Sequence, residues 1–514
     1  HIINLFGGFE NSSIDRTRSW FRGWGYQYDK GGTPFYDYNV FKQGKEENTN
    51  YYTNEATYTR SVAFFFMGTY SYKGIYTLTG TGRYEGTNRL GKSRSARWLP
   101  TWNVAGAWNV HEEKFYSNFT NPVLSHATLK ASYSLTADRG PAFVTNSQAI
   151  LNSYSPWRPS ASVTESGMRI TELENSELTY EKKHEFNVGI DLGFLKNRLN
   201  LAADYYRRNN FDLIGVINTQ GAGGTIAKYA NIASMKSSGI ELTISSKNMR
   251  TKDFSWNTDF IFSKTKNEIT DLKSHANVLS LISGNGFGRE GYPVRGLFSI
   301  PFAGLTEDGL PTFINQDGQK TISSFNFQEY EKLDFLKYEG PTDPTITGSF
   351  GNILTYKNLK LNVFVTYSFG NVIRLDPVFS NAYSDLDAMP KEFKNRWMKA
   401  GDENVTNIPT IVSTRMNQQY AYLNMAYNAY NYSDVRIADG GFIRLKEISL
   451  SYDLPAKVIN FFRLNKLQLK LQATNLCLLY ADSKLNGQDP EFFRSGGVST
   501  PVPKQFTFTV RLGL

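Results

Sequence analysis

The chain has 514 residues, a formal net charge of +9 and a mean hydropathy of −0.42. It contains no apolar run of about 18 residues, so the sequence predicts no transmembrane helix, and it lacks a compact run of Lys and Arg, so we expect no nucleic-acid partner. Aromatic residues make up 15% of the chain, an excess typical of β-barrels, which place Tyr and Trp at both membrane interfaces.

Strand candidates recur along the whole chain, and they are joined alternately by short and long connections. About fourteen are predicted, in chain order: His1–Glu10, Thr59–Tyr72, Ile75–Glu85, Trp98–Val110, one through Leu129 and Leu135, Phe186–Phe194, Leu199–Arg207, one through Ile240 and Ile244, Phe254–Phe262, Ile346–Tyr356, Leu359–Phe369, Ile443–Leu454, Lys466–Tyr480 and Gln505–Leu514.

The last of these, Gln505–Leu514, shows the pattern most clearly. Its apolar residues occupy alternate positions, so they lie on one face of an extended strand, and polar residues lie on the other. A run of about 10 such residues is long enough to cross a bilayer as a tilted strand. A soluble antiparallel sheet with one wet face gives the same alternation. The alternation slips at Lys446–Glu447, which predicts a β-bulge there.

The connections decide between these two sheet classes. Lys73–Gly74, Lys196–Arg198 and Pro455–Asn465 are predicted to be short, whereas a loop of roughly fifty residues follows the first strand, and further long loops are Ala137–Tyr180, Lys273–Asp343 and Asn371–Asp439. Because the two kinds alternate, all short turns fall at one end of the strands and all long loops at the other. Outer-membrane barrels segregate connections in this way, but sandwiches and propellers do not. The sequence therefore predicts an all-β transmembrane barrel in which residues 1–514 form one unit.

No catalytic or metal chemistry is indicated. The five histidines do not occur in metal-ligand spacing, and the single Cys477 is predicted to face lipid. The Gly-rich stretch Gly221–Gly224 lacks the strand and helix that flank a phosphate-binding loop. We predict that the chain is not an enzyme, has no metal site and needs no cofactor.

Aromatic clusters in the predicted loops are the candidate site residues. Flat rings stack on sugars, and Tyr hydroxyls form hydrogen bonds, so the clusters suit a glycan, a peptide or a partner protein; they also suit packing of the loops themselves. The candidates for substrate or partner contact are Tyr154, Trp157, Arg158, Tyr420, Tyr422, Tyr427, Tyr430 and Tyr432. Within the same long loop, Asp385–Lys399 is predicted to include a short helix that carries Phe393 and Trp397 on one face.

Several segments resemble the SusC-like (RagA/SusC) TonB-dependent transporters of Bacteroidetes outer membranes. The segments that carry the resemblance are Tyr72–Tyr76 with Gly82–Gly91, Asn187–Asp191 with Asn197–Leu199 and Ala203–Tyr206, Asn231–Ile232 with Ser238–Leu242, Glu290–Pro293, Arg444–Tyr452, Thr474–Leu476 and Asp489–Glu491. The chain departs from the family pattern at Glu85, where Asp is usual, and at Leu514, where an aromatic residue usually closes the barrel.

This resemblance implies a 22-stranded barrel around a plug. The chain would then be the C-terminal two-thirds of the barrel, with the plug, the first strands and the TonB-contacting segment before His1. The implied function is TonB-dependent import of oligosaccharides or oligopeptides together with a SusD-like surface lipoprotein that caps the barrel. A passive porin of about fourteen strands and a secreted β-rich adhesin are the alternatives that the residues leave open.

Overall fold

The computed structural model describes the chain except residues 36, 48, 50, 119–122, 142–143, 145–148, 155–164, 220, 222–226, 385, 387–388, 390, 462–463, 494–502 and 514. No helix among the described residues has both the length and the apolar character that a membrane span requires.

One antiparallel sheet of fourteen strands dominates the structure, and each strand pairs with its neighbours in chain order. This confirms the predicted number and order of strands. Their bounds are β1 Ile2–Phe21, β2 Tyr52–Tyr72, β3 Tyr76–Thr87, β4 Trp98–Asn109, β5 Leu124–Asp138, β6 Glu181–Phe194, β7 Leu199–Asn218, β8 Ala227–Arg250, β9 Phe254–Leu272, β10 Ile346–Tyr356, β11 Leu359–Phe369, β12 Phe442–Asp453, β13 Lys466–Ala481 and β14 Gln505–Gly513.

Several strands are longer than predicted. β1 continues to Phe21 rather than ending at Glu10, and β9 continues to Leu272. The added residues are mostly polar and show no regular alternation, yet the backbone ladder continues; Asp15, for example, pairs with Tyr58 of β2. The prediction of a roughly fifty-residue loop after β1 is therefore wrong, because that connection is residues 22–51.

The two faces of the sheet differ in chemistry as predicted. One row of cross-strand neighbours runs through Leu78, Gly106, Ala131, Val188, Tyr205 and Ile240, and we call this apolar side the outer face. The other side, the inner face, carries paired charges. Arg208 lies opposite Glu185 with Nε and Oε2 3.1 Å apart, and Lys130 pairs with Asp191.

The shortest turns and the longest loops lie at opposite ends of the sheet. Residues 73–75, 195–198, 251–253 and 357–358 close one end, where Gly74 has a φ of 73° that favours glycine. Residues 22–51, 139–180, 273–345 and 370–441 extend from the other end. The predicted bulge at Lys446–Glu447 is confirmed, because the register between β12 and β13 shifts between Leu445 and Glu447.

The connections carry short elements of their own. The helices are α1 Tyr38–Glu46, α2 Arg94–Arg97, α3 Lys114–Asn118, α4 Val278–Ile282, α5 Thr414–Gln419, α6 Leu423–Asn431 and α7 Ala456–Phe461. Short strands pair within the loops: Tyr26–Gln27 with Thr33–Pro34, Ile150–Tyr154 with Gly167–Glu172, Gly296–Ser299 with Lys337–Pro341, Phe302–Leu305 with Pro311–Ile314 and Lys320–Thr321, and Val372–Arg374 with Ile437–Asp439.

Candidate functional site: an ordered cap of two long loops

The two longest loops, residues 273–345 and 370–441, fold against each other and share one hydrophobic core. We call this unit the loop core. Its fully buried side chains come from both loops and include Leu281, Ile282, Phe298, Ile300, Phe313, Leu423, Ala426, Tyr427, Ala429 and Tyr430. An apolar interior of this kind is the main stabilising term in a fold, so the loops form an ordered structure beyond the end of the sheet.

Local sequence explains the helices that build the loop core. Asn277 caps α4, since its Oδ1 accepts a hydrogen bond from the Ser280 N–H at 2.9 Å. In α6, Leu423, Ala426, Tyr427 and Tyr430 follow the three- and four-residue spacing of one helix face, and all four are buried. The helix therefore presents one apolar face to the core.

Arg374 joins three segments at the centre of the loop core. Its side chain is buried, and its guanidinium donates hydrogen bonds to the carbonyls of Ser433 at 2.9 Å and Phe298 at 2.6 Å, and to Ser299 Oγ at 2.9 Å. Burial lowers the pKa of Arg374 to about 10, so it remains charged at neutral pH. A buried cation held by backbone carbonyls fixes the relative position of the segments that supply them.

A second buried arginine, Arg436, holds the far side of the same loop. It donates to Glu392 Oε1 at 2.5 Å and to the Asp376 carbonyl at 3.2 Å, and it lies over the Phe379 ring, 5.0 Å from the centroid. Neither arginine is among the candidate residues predicted from the sequence. Nothing in their local sequence marks them, because their partners are 44 to 76 positions away.

Two of the candidate tyrosines lie inside the loop core. Tyr427 and Tyr430 are 1% and 2% exposed, and burial raises the pKa of both phenols. The Tyr427 hydroxyl donates to the Thr410 carbonyl at 2.5 Å, and the Tyr430 ring meets Phe302 and Phe379 edge to face. These rings stabilise the loops, and they cannot reach a molecule outside the core unless the core opens.

The remaining candidates are more accessible and lie apart. Tyr420 donates to Asp308 Oδ2 at 2.8 Å, and Tyr422 is 71% exposed. Tyr432 is half-buried, with the Arg374 guanidinium 5.8 Å from its ring centroid. Tyr154 is exposed on the separate hairpin Ile150–Tyr154, where Arg169 lies over its ring. Trp157 and Arg158 fall outside the described residues. Substrate or partner contact by the accessible rings stays a prediction.

The short helix expected within Asp385–Lys399 is largely absent. Only a 3-10 helix, Lys391–Asn395, occurs in the part of this segment that the structure describes. Phe393 packs into the loop core, but Trp397 lies outside the 3-10 helix, donates to Glu403 Oε2 at 3.0 Å and packs on Gly309, so the two rings do not share one helix face. The Trp397 backbone N–H bonds Ile408 instead of a preceding helical carbonyl, so tertiary pairing overrides the helical spacing.

The described residues contain no cluster of three or more His, Cys, Asp or Glu side chains that could hold a metal ion. The inner-face charges near the loop end form ion pairs with one another. Glu85 Oε2 forms an ion pair with Arg83 Nη2 at 2.7 Å. Glu85 also pairs with Arg139, which lies in the connection after β5. The geometry of this end of the sheet thus offers polar walls and an ordered cap.

Comparison with known proteins identifies the architecture. The family model for the TonB dependent receptor-like β-barrel matches residues 3–476. The chain belongs to this family of TonB-dependent receptors. The sheet is accordingly the wall of an outer-membrane β-barrel with its apolar outer face toward lipid, which confirms the predicted fold class, family and location.

Curated relatives within this receptor family include SusC of Bacteroides thetaiotaomicron, which is 26% identical over 495 residues, covering 90% of this chain and 44% of SusC. TonB-dependent receptor P3 of Formosa agariphila is 25% identical over 463 residues, covering 86% of this chain and 42% of the receptor. The chain therefore spans less than half the length of these relatives.

Solved structures share the receptor fold. The RagAB peptide transporter superposes with a TM-score of 0.75 at 21% identity, covering 99% of this chain and 53% of the matched chain. The RagAB peptide importer in its open-open state gives the same TM-score at 20% identity. At this level of identity the likeness concerns the fold alone.

Proposed function

We propose that this chain is part of a TonB-dependent outer-membrane importer that takes up oligosaccharides or oligopeptides together with a SusD-like surface lipoprotein. Membership of the receptor family supports energised transport. The resemblance to SusC-like transporters supports a lipoprotein partner. The likeness to the RagAB peptide transporter supports peptides, in addition to glycans, as a substrate class. We also propose that the plug and the TonB-contacting segment lie outside residues 1–514.

The loop core is the observation that carries the proposal. A passive pore needs no structure of this size beyond its wall, whereas a lipoprotein lid needs a rigid platform to dock on. The loop core is held by a common interior and by buried arginines, and it still exposes large apolar side chains. Met398 is 66% exposed, Val405 83% and Tyr422 71%. Apolar surface of this kind on an ordered rim is typical of interfaces.

Co-purification of the lipoprotein tests the docking surface. Deleting Ala382–Asn431 would be a poor test, because it removes Phe393, Leu423, Tyr427 and Tyr430 from the loop core. We instead expect the triple variant Met398→Ser, Val405→Ser and Tyr422→Ser to keep the fold and to reduce lipoprotein recovery strongly. Phe461→Ser, an equally exposed apolar site at the short-turn end, is the control. Full recovery with the triple variant would remove the loop core as the dock.

Uptake assays test the transport itself. Cells that carry the complete protein should accumulate a labelled oligosaccharide or oligopeptide mixture only when TonB is present and the inner-membrane proton gradient is intact. The two mixtures, offered separately, distinguish the substrate class. Uptake that persists at the same rate after the gradient is collapsed would favour the porin alternative instead.

A further inference from the structure

Four cations stand close together on the outer face of β7–β9, toward the loop end of these strands. Arg207 lies opposite Ser238, and Ser238 lies opposite Lys266, so these three residues form one row across the three strands. Lys236 and Lys264 lie on the same face, two positions from Ser238 and Lys266 along their strands. All four cationic side chains are exposed, and Arg207, Lys236, Ser238 and Lys266 line a shallow depression of about 220 Å³.

Of these four cations, only Lys266 has an ion-pair partner among the residues that the structure describes. Lys266 approaches Glu268 at 3.8 Å, and both side chains are exposed. Arg207, Lys236 and Lys264 form no ion pair with any residue that the structure describes. By contrast, the adjacent Arg208, on the inner face, pairs with Glu185 at 3.1 Å. Glu268 lies opposite Lys236 on the same face and also lines the depression, so it offsets one of the four positive charges. The remaining excess of positive charge suits this cluster to an external anion.

The height of the cluster places it at a membrane surface. Trp256 of β9 lies beside the short turn 251–253 and marks the interface at that end. The stretch from Trp256 to Lys266 has the length of one transmembrane strand, about 9–11 residues. Outer-membrane barrels keep their short turns in the periplasm and their long loops outside. The cations therefore lie level with the headgroups of the outer leaflet.

An apolar groove runs across the outer face directly below this cluster. It has a volume of about 860 Å³ and is lined almost wholly by carbon. Small residues, Gly106, Ala131 and Ala203, form part of its lining between the larger rings of Trp108 and Tyr205. Tyr205 lines both the groove and the cationic depression, so the two are continuous.

We propose that this surface binds a phosphorylated, acylated lipid of the outer leaflet. A phosphate group would be held by Arg207, Lys236 and Lys266 with the Ser238 hydroxyl nearby, since Arg and Lys donate charge-assisted hydrogen bonds to phosphate. An acyl chain would lie in the groove, where the wall offers apolar surface at bilayer depth. Neither the cationic depression nor the apolar groove alone selects a lipid. Because the two are continuous, together they match a molecule with an anionic head and apolar chains.

Binding of a defined lipid tests the cationic half. The complete protein in detergent is titrated with bis-phosphorylated, multiply acylated lipid A and followed by native mass spectrometry. We expect the variant Arg207→Glu, Lys236→Glu, Lys266→Glu to bind at least about tenfold more weakly, because three charge-assisted contacts are lost. The control variant Arg250→Glu, Lys252→Glu, Lys360→Glu makes the same charge change at the short-turn end and should bind normally. If the charge-reversed protein fails to fold, Arg207→Gln with Lys236→Gln replaces it.

A groove-filling variant tests the apolar half. A Cβ added at Gly106 meets no atom within 4 Å, so Gly106→Leu adds volume to the groove without a backbone clash. It should weaken binding of the acylated lipid severalfold. Gly82→Leu is the matched control, because Gly82 also has open space around its Cβ and does not line the groove.

Several results would overturn the proposal. These are equal lipid binding by the charge-reversed and control proteins, undiminished binding by Gly106→Leu, equally tight binding of inorganic phosphate alone, and cross-linking that shows a second copy of the chain seated in the groove. Equal binding of lipid A from which the phosphates have been removed would also exclude the cationic cluster from recognition. The proposal does not depend on the transport function, so loss of either leaves the other standing.

Discussion

At the scale of single residues, buried polar groups that bond their partners fix how the segments of the loop core meet. Arg374 satisfies the carbonyls of Ser433 and Phe298 and also bonds Ser299. A surface arginine exchanges such bonds with water at little cost, but a buried one cannot be removed without leaving acceptors unsatisfied. Because Arg374 bonds residues of both long loops, its removal should destabilise the packing of the two loops against each other.

We therefore expect Arg374→Met to destabilise the loop core by about 3 kcal/mol or more, since the replacement fills similar volume but donates no hydrogen bond. Faster amide hydrogen exchange in residues 296–299 and 423–436, with the strands of the sheet unaffected, would show it. Lys399→Met, at an exposed position of the same loop, should change nothing. Unaltered exchange in Arg374→Met would mean that the arginine is dispensable.

Tyr427 predicts a pH dependence. Burial raises its pKa in the folded loop core, whereas in the unfolded loop it ionises near pH 10. Above about pH 10 the unfolded loop therefore binds fewer protons than the folded one, and the stability of the loop core falls as pH rises. Below that pH the ionisation of Tyr427 does not change the stability. Because hydroxide itself catalyses amide exchange, the readout is the protection of α6 relative to the intrinsic exchange rate. This protection should fall above pH 10, and it should fall less in Tyr427→Phe. Tyr422→Phe, which alters an exposed ring, should behave as wild type.

At the scale of elements, facing decides what each strand position tolerates. The register between β13 and β14 matches apolar with apolar and polar with polar positions. Val510 lies opposite Leu469, and Thr509 lies opposite Lys470. Each strand thus adds one apolar and one polar row to the wall. Alternation, together with the turns and connection lengths, predicted all fourteen strands, because a period of two leaves a strong signal wherever one face meets lipid.

We expect Val510→Arg to destabilise the barrel by about 2–4 kcal/mol, because it would place a charge on the lipid face, and Thr509→Arg to have a much smaller effect. The two neighbours differ only in the face they occupy. Unfolding by denaturant in detergent or lipid vesicles compares them directly. Similar losses from both substitutions would contradict the assigned facing.

The strand ends and the loop core were beyond the reach of sequence patterns. β1 runs past Glu10 with mostly polar residues and no regular alternation, and there pairing with β2 rather than amphipathicity maintains the strand. The loop core depends on contacts such as Arg374 to Phe298, which no local pattern encodes. Tyr427 and Tyr430 illustrate the resulting ambiguity: their spacing suits a binding surface and a helix face equally, and only the packing reveals that they are interior.

At the scale of the whole molecule, the two ends of the barrel should differ in exposure to the outside. Protease added to intact cells should cut, if anywhere, within residues 139–180, 273–345 or 370–441, and should spare Lys196–Arg198 and the connection 454–465. Mass spectrometry of the released peptides identifies the sites, and permeabilised cells provide the control. Cleavage of the short connections in intact cells would reverse the orientation.

The short pair Val372–Arg374 and Ile437–Asp439 extends the pairing of β11 with β12 into the loop core. Amphipathicity forbids a one-residue slip between two strands, but a slip of two residues keeps every side chain on its face. Such a slip between β11 and β12 would displace this extension by about 7 Å, at roughly 3.4 Å per residue. Arg374 would then lose Ser433, and the loop core would not close. Closure of the loop core therefore favours the native register between β11 and β12.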